Sequence, residues 1–190
     1  FNDDPAVAEG AIIKPSDDAG IQQELLRGSP IIHGSIIVNR EALVGVGAYN
    51  ERYRFANDVE LYDRLLAEHP SANIPRQLLG IRRHAEQGSR TKASFDEVIE
   101  IFEHRLVHQK YTSPETKVVR ATLSRFHVVR ARFSLIERNL PEAAKDLVRA
   151  FRRSPKLFLW NCIFVSVVYQ MSERSRVRVK RLLRRVPNTS

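Results

Sequence analysis

Cysteine is almost missing from this chain: Cys162 stands alone among 190 residues, beside one Met and one Trp. A single thiol excludes a disulfide framework and any zinc site built on several cysteines, and it fits a reducing compartment. Acidic residues vanish toward the end. From Phe1 to Val148 there are 20 basic and 21 acidic residues, whereas Arg149 to Ser190 holds 11 basic residues and only Glu173 against them. The net charge of +9 therefore belongs to the last stretch, which suits an anionic partner better than a uniformly basic surface would. No initiator Met and no signal-peptide pattern opens the chain at Phe1-Asn2-Asp3-Asp4. That opening reads as the middle of something longer, with part of an active site expected upstream. With 43% hydrophobic and 28% charged residues, wholesale disorder is excluded. The length suits one domain, or a truncated larger one with an appendage.

The first half alternates apolar runs with turn residues. A helix is predicted over Gly20 to Arg27, and a short one from Asn39 to Val44 ending at Gly45. Ile31 to Val38 is β-branched and nearly continuous, which predicts a buried strand bent at Gly34. Asn57-Asp58 can cap a helix over Val59 to Glu68, with Leu61, Leu65 and Leu66 on one face. From Phe95 onward nearly everything reads as helix. Within it, Ala131, Ala143, Leu147 and Ala150 around the Asn139-Leu140-Pro141 turn resemble one tetratricopeptide-like hairpin, with Ser134 where an aromatic is usual. A generic helical hairpin explains the same pattern.

Polar residues concentrate between residues 33 and 90. His33, Arg40, Glu51, Asp58, Arg82, Arg83 and His84 fall at segment ends, where loops present side chains. A carboxylate beside Arg and His suits a phosphorylated substrate: the cations offset phosphate charge while the carboxylate takes a proton from an attacking hydroxyl. On composition alone, Asp58 serves equally well as a helix cap. His69, His104, His108 and His127 read as surface or packing residues, and Lys117, Arg120, Arg125, Arg130 and Arg132 as a solvated basic face.

Four ordered pieces carry a family resemblance. They are Pro30 to Arg40, an apolar run ending in arginine; Val44-Gly45-Val46-Gly47-Ala48-Tyr49-Asn50-Glu51; Phe55 to Leu65 around Asn57-Asp58; and Asn73 to His84, followed by Ser89. In this order and spacing, residues 29 to 90 resemble the C-terminal half of the catalytic domain of family-2 glycosyltransferases of the GT-A fold. The resemblance implies a partial α/β, Rossmann-like domain over residues 1–92, followed by an all-α extension over 93–190. It implies an inverting enzyme that moves a sugar from a nucleotide-sugar donor to the hydroxyl of a glycan or lipid-linked acceptor, in cell-surface polysaccharide synthesis. Its setting would be the cytoplasm, peripheral to the inner face of the membrane.

Carried over residue by residue, Asp58 matches the catalytic base, and Asn57 stands where its partner is usually Glu. Arg82 and His84 match the residues that face the donor diphosphate or its divalent metal (Mg or Mn), with His84 a candidate ligand. His33 and Arg40 border the acceptor side. The family's Asp-x-Asp metal motif would lie upstream of Phe1; neither Asp3-Asp4 nor Asp17-Asp18 fits that role. A chain holding only this half is expected to be inactive by itself.

Leu157 to Met171 is strongly apolar but interrupted by Asn161 and Ser166, and it falls short of the about 20 residues that cross a bilayer. Arg152, Arg153 and Lys156 precede it and Arg174 to Arg185 follow it, which suits an interfacial helix on an anionic membrane; a buried core helix explains the apolar run nearly as well but the flanking charge less well. The competing class is a non-catalytic basic helical module for an acidic partner. Ser172 to Ser190 holds no aromatic residue, which argues against stacking on nucleic-acid bases.

Overall fold

The computed structural model describes residues 11–81 and 91–170, with the side chains of the last helix described as far as Ile163. Seven α-helices follow one another: α1 Asp18–Leu25, α2 Arg40–Gly45, α3 Asn57–Glu68, α4 Lys92–His108, α5 Ser113–Ile136, α6 Leu140–Arg153 and α7 Pro155–Gln170. Their starts are written locally. The Asp17 carboxylate accepts from the Gly20 amide at 3.2 Å, and Asn39 Oδ1 accepts from Glu41 and Ala42 at 2.7 and 3.1 Å. Thr112 and Glu115 cap one another at the head of α5, and Asn139 accepts from the Glu142 amide to start α6.

The expected α/β fold is overturned. Among the described residues there is no strand and no sheet, and the architecture is all-helical. Ile31 to Val38, read as a strand, is an irregular segment with a single 3₁₀ turn over His33–Ser35. A strand is stable only when its amides and carbonyls meet a neighbouring strand. Here no strand pairs with it among the described residues. The backbone satisfies itself instead: the Ser35 amide donates to the Ile32 carbonyl at 3.0 Å, and the Ile36 amide to the His33 carbonyl at 3.4 Å. Ile31 and Ile36 still pack on Ile21, Tyr62 and Leu66, while Ile37 is fully exposed. The apolar content of the segment was read correctly and its hydrogen bonding was not.

The core has three parts. Ala56, Val59, Ile99, Phe102, Val119 and Leu123 join α3, α4 and α5; Val128, Val129 and Ala150 join α5 to α6, with Phe158 of α7 against them; Ile21, Tyr62 and Leu66 join α1 to α3. α5 is the central helix, lying against α4, α6 and α7. Ala131 and Ala143 are buried between α5 and α6, and Ser134 beside them is fully enclosed.

Two charged groups sit inside this frame. Arg105 of α4 is 1% exposed. Its Nε donates to Asp63 Oδ2 at 2.6 Å, its Nη1 donates to the Leu25 carbonyl at 2.7 Å, and its guanidinium lies 4.0 Å from the centre of the Phe102 ring. Asp146 of α6 is likewise buried, against Arg130 Nε at 2.9 Å and His127 Nδ1 at 3.3 Å. Arg130 was read as part of a solvated face; its pairing with Asp146 corrects that. Burial alone would raise the Asp146 carboxyl, but the hydrogen bonds from His127 and Arg130 outweigh it and hold the group down at about 2.

Two outcomes follow. Asp63→Ala should lower stability by about 3–5 kcal/mol, because it strands a buried guanidinium, and Asp63→Leu with Arg105→Met should recover much of the loss; urea unfolding measures both. A carboxyl depressed in the folded state stabilises above its unfolded value and loses that contribution as pH falls through its folded one. The stability of the chain should therefore drop between about pH 4 and pH 2 by an increment that Asp146→Asn removes, as read by thermal unfolding across that range.

Candidate functional site

Of the expected site residues, His33 packs against α3 one helical turn from Asp58, through a residue that the sequence reading passed over. Tyr62 lies one helical turn beyond Asp58 on α3, so the two side chains share a face. The buried Tyr62 hydroxyl sits 2.9 Å from His33 Nδ1, and the Tyr49 hydroxyl sits 3.3 Å from His33 Nε2. The imidazole is thus held edge-on to one ring and tilted against the other, with centroids 5.8 and 6.0 Å away. A neutral imidazole offers one N–H and one lone pair. A hydroxyl can accept the first and another can donate to the second, so both ring nitrogens are satisfied.

Burial pushes the Tyr62 phenol well above its ordinary range, and the nearby Asp58 carboxylate and Tyr49 reinforce the shift. Tyr62 therefore stays protonated at neutral pH and serves as a hydrogen-bonding group. Asp58 is partly exposed in the first turn of α3. Its Oδ1 accepts from the Val59 amide at 2.9 Å, so the carboxylate lies at the positive end of the helix. Asn57–Asp58 is not the helix cap: Ala56 occupies that position and makes no side-chain capping bond.

The backbone leading into α3 is held from elsewhere in the chain. Glu97 of α4 accepts from three successive amides, Arg54 at 3.0 Å through Oε1, and Phe55 and Ala56 at 2.7 and 2.8 Å through Oε2. This carboxylate fixes the segment that enters the helix, of which Ala56 is the last residue. A second clamp positions Tyr49. Arg64 is gripped by Glu60 one turn earlier, at 2.9 and 2.7 Å, and donates to the Val46 and Ala48 carbonyls. That grip holds the tight turn in which Gly47 and Ala48 both take positive φ, at 85° and 54°.

The remaining expected residues are not part of this cluster. Arg40 is exposed at the start of α2, and Asn57 is partly exposed beside Asp58. Arg82 and His84 lie outside the described residues, as do the basic tail and Asp3-Asp4. Asp17 and Asp18 hold local structure: the first caps α1 and the second accepts from the Ser71 amide at 2.9 Å. Among the described residues no three His, Cys, Asp or Glu side chains come together to hold a metal. Both His33 nitrogens meet hydroxyls, and His84, the expected metal ligand, lies outside the described residues.

No protein-family model, no curated protein and no solved structure matches this chain.

Tyr62→Phe removes the group that meets His33 Nδ1 and leaves that nitrogen unpaired. Stability should fall by about 1 kcal/mol in urea unfolding. The His33 ring resonances should shift by NMR, whereas unmoved resonances would show that the hydroxyl does not engage the ring.

Proposed function

We propose that residues 29–81 form the acceptor-activating part of a nucleotide-sugar-dependent glycosyltransferase, with Asp58 as the base. The observation that carries the reading is the placement of this carboxylate. One oxygen is held by its own helix, the group is open to solvent on one side, and one turn away stands the ordered Tyr62–His33–Tyr49 chain. The four segments that resemble family-2 glycosyltransferases point to the same residue. The reading does not rest on a sheet.

The chemistry is a single displacement. Asp58 takes the proton from an acceptor hydroxyl as its oxygen forms a bond to the anomeric carbon. The bond from that carbon to the diphosphate breaks on the opposite face, and the nucleoside diphosphate leaves with the electron pair. The configuration inverts. A proton acceptor that is fixed before the acceptor arrives adds no reorganisation to the step. His33 and the two tyrosines offer hydrogen bonds that would orient a sugar acceptor rather than take its proton. Donor recognition would fall to Arg82 and His84, where a guanidinium meets phosphate bidentately.

The test uses the natural full-length protein with a panel of UDP-, GDP- and dTDP-sugars and a glycolipid extract, reading release of the nucleoside diphosphate. Asp58→Asn keeps the shape and removes the basicity. Turnover should fall by about 10²–10⁴, while donor affinity stays within about twofold. Unchanged turnover in that variant sinks the assignment of the base.

A further inference from the structure

Apart from Lys156 at its start and the inward-facing Asn161, the first two turns of helix α7 are apolar, yet the protein covers only one side of them. Phe158, Asn161 and Cys162 face inward, with Asn161 donating to Ser124 Oγ on α5 at 3.0 Å. On the opposite face Leu159 is 71% exposed, Trp160 50% and Ile163 55%. These three lie at helical spacing and form one continuous stripe. On α6, Phe151 is half-exposed and meets the inward-facing Phe158 edge-on at 5.7 Å. A helix with an uncovered apolar face in water marks a surface that something else covers.

The surrounding charge says what. Arg149, Arg152 and Lys156 are exposed along the same α6–α7 junction. After α7 the chain carries seven more cations, from Arg174 to Arg185, against the single Glu173. Docking a second copy face to face would bring these like charges together. An anionic lipid surface would offset them and accept the apolar stripe between its headgroups. Crossing the bilayer is a different matter: no described helix is long and apolar enough for it.

We propose that the α6–α7 face is a membrane-docking surface, in which Leu159, Trp160 and Ile163 enter the headgroup layer of an anionic bilayer while Arg152 and Lys156 bind its phosphates. This goes beyond sugar transfer and does not depend on it.

Trp160 is the sole tryptophan, so its fluorescence reports on this face alone. The full chain is mixed with vesicles of phosphatidylcholine alone, or of phosphatidylcholine with phosphatidylserine, using acyl chains brominated near the headgroup. With phosphatidylserine, emission should shift to the blue and be quenched, and binding should weaken steeply with added salt. Neutral vesicles should leave it unchanged. Leu159→Ser with Ile163→Ser should abolish quenching, and Arg152→Glu with Lys156→Glu should weaken binding about tenfold or more. Circular dichroism checks that each variant stays helical; the substituted side chains are exposed. Three results overturn the proposal: no binding to phosphatidylserine vesicles, binding without quenching, or a lipid-free blue shift that grows with protein concentration and marks a second copy on the face.

Discussion

A guanidinium almost without access to water holds the described part of this protein together. Moving Arg105 out of solvent costs several kcal/mol, and the fold offsets that only by surrounding it completely. Asp63 supplies the counter-charge, the Leu25 carbonyl takes a third direction, and Phe102 lies under the plane. These partners come from α3, α1 and α4. None of the three helices can rotate or slide without leaving the charge unpaired. Asp63 follows Tyr62 directly, so fixing one fixes the azimuth of the other. The contact between Tyr62 and His33 depends on a salt bridge on the next residue.

The site is assembled by charge in two further places. Glu97 ends the backbone of residues 54–56 by accepting from three amides, and Arg64 ends the turn at residues 46–48 by donating to two carbonyls. Each is one ionised side chain that satisfies several main-chain groups at once, which charge-assisted bonds do more strongly than neutral ones. The backbone on either side of Asp58 and His33 is held by these bonds, while the Asp58 carboxylate itself remains partly open.

Local signals in the chain were legible and non-local ones were not. Asn39 before Arg40 and Gly45 at its end mark α2, and the spacing of Leu61, Leu65 and Leu66 marks α3. Ile31 to Val38 was misread because β-branched composition describes what a segment buries, while strand formation depends on a partner that the segment itself does not encode. His33 and Asp58 stood out as polar residues at segment ends. Tyr62 could have been found beside them, since four residues separate it from Asp58 on a helix. Glu97 could not, being some 41 residues from the amides it holds, and neither could Arg130, whose partner Asp146 lies on the next helix.

The same separations along the chain bear on the order in which the molecule can assemble. Arg130 and Asp146 are 16 residues apart, and their helices meet across a turn, whereas Arg105 reaches back 80 residues to Leu25. Closing the longer loop costs about 1.4 kcal/mol more chain entropy by the logarithmic law. The α5–α6 hairpin can therefore form early and serve as a platform. The His33–Asp58 region is completed only when the remote arginine docks, so it should be the last part of the chain to become protected from exchange with solvent during refolding, and the first to lose that protection as the fold opens.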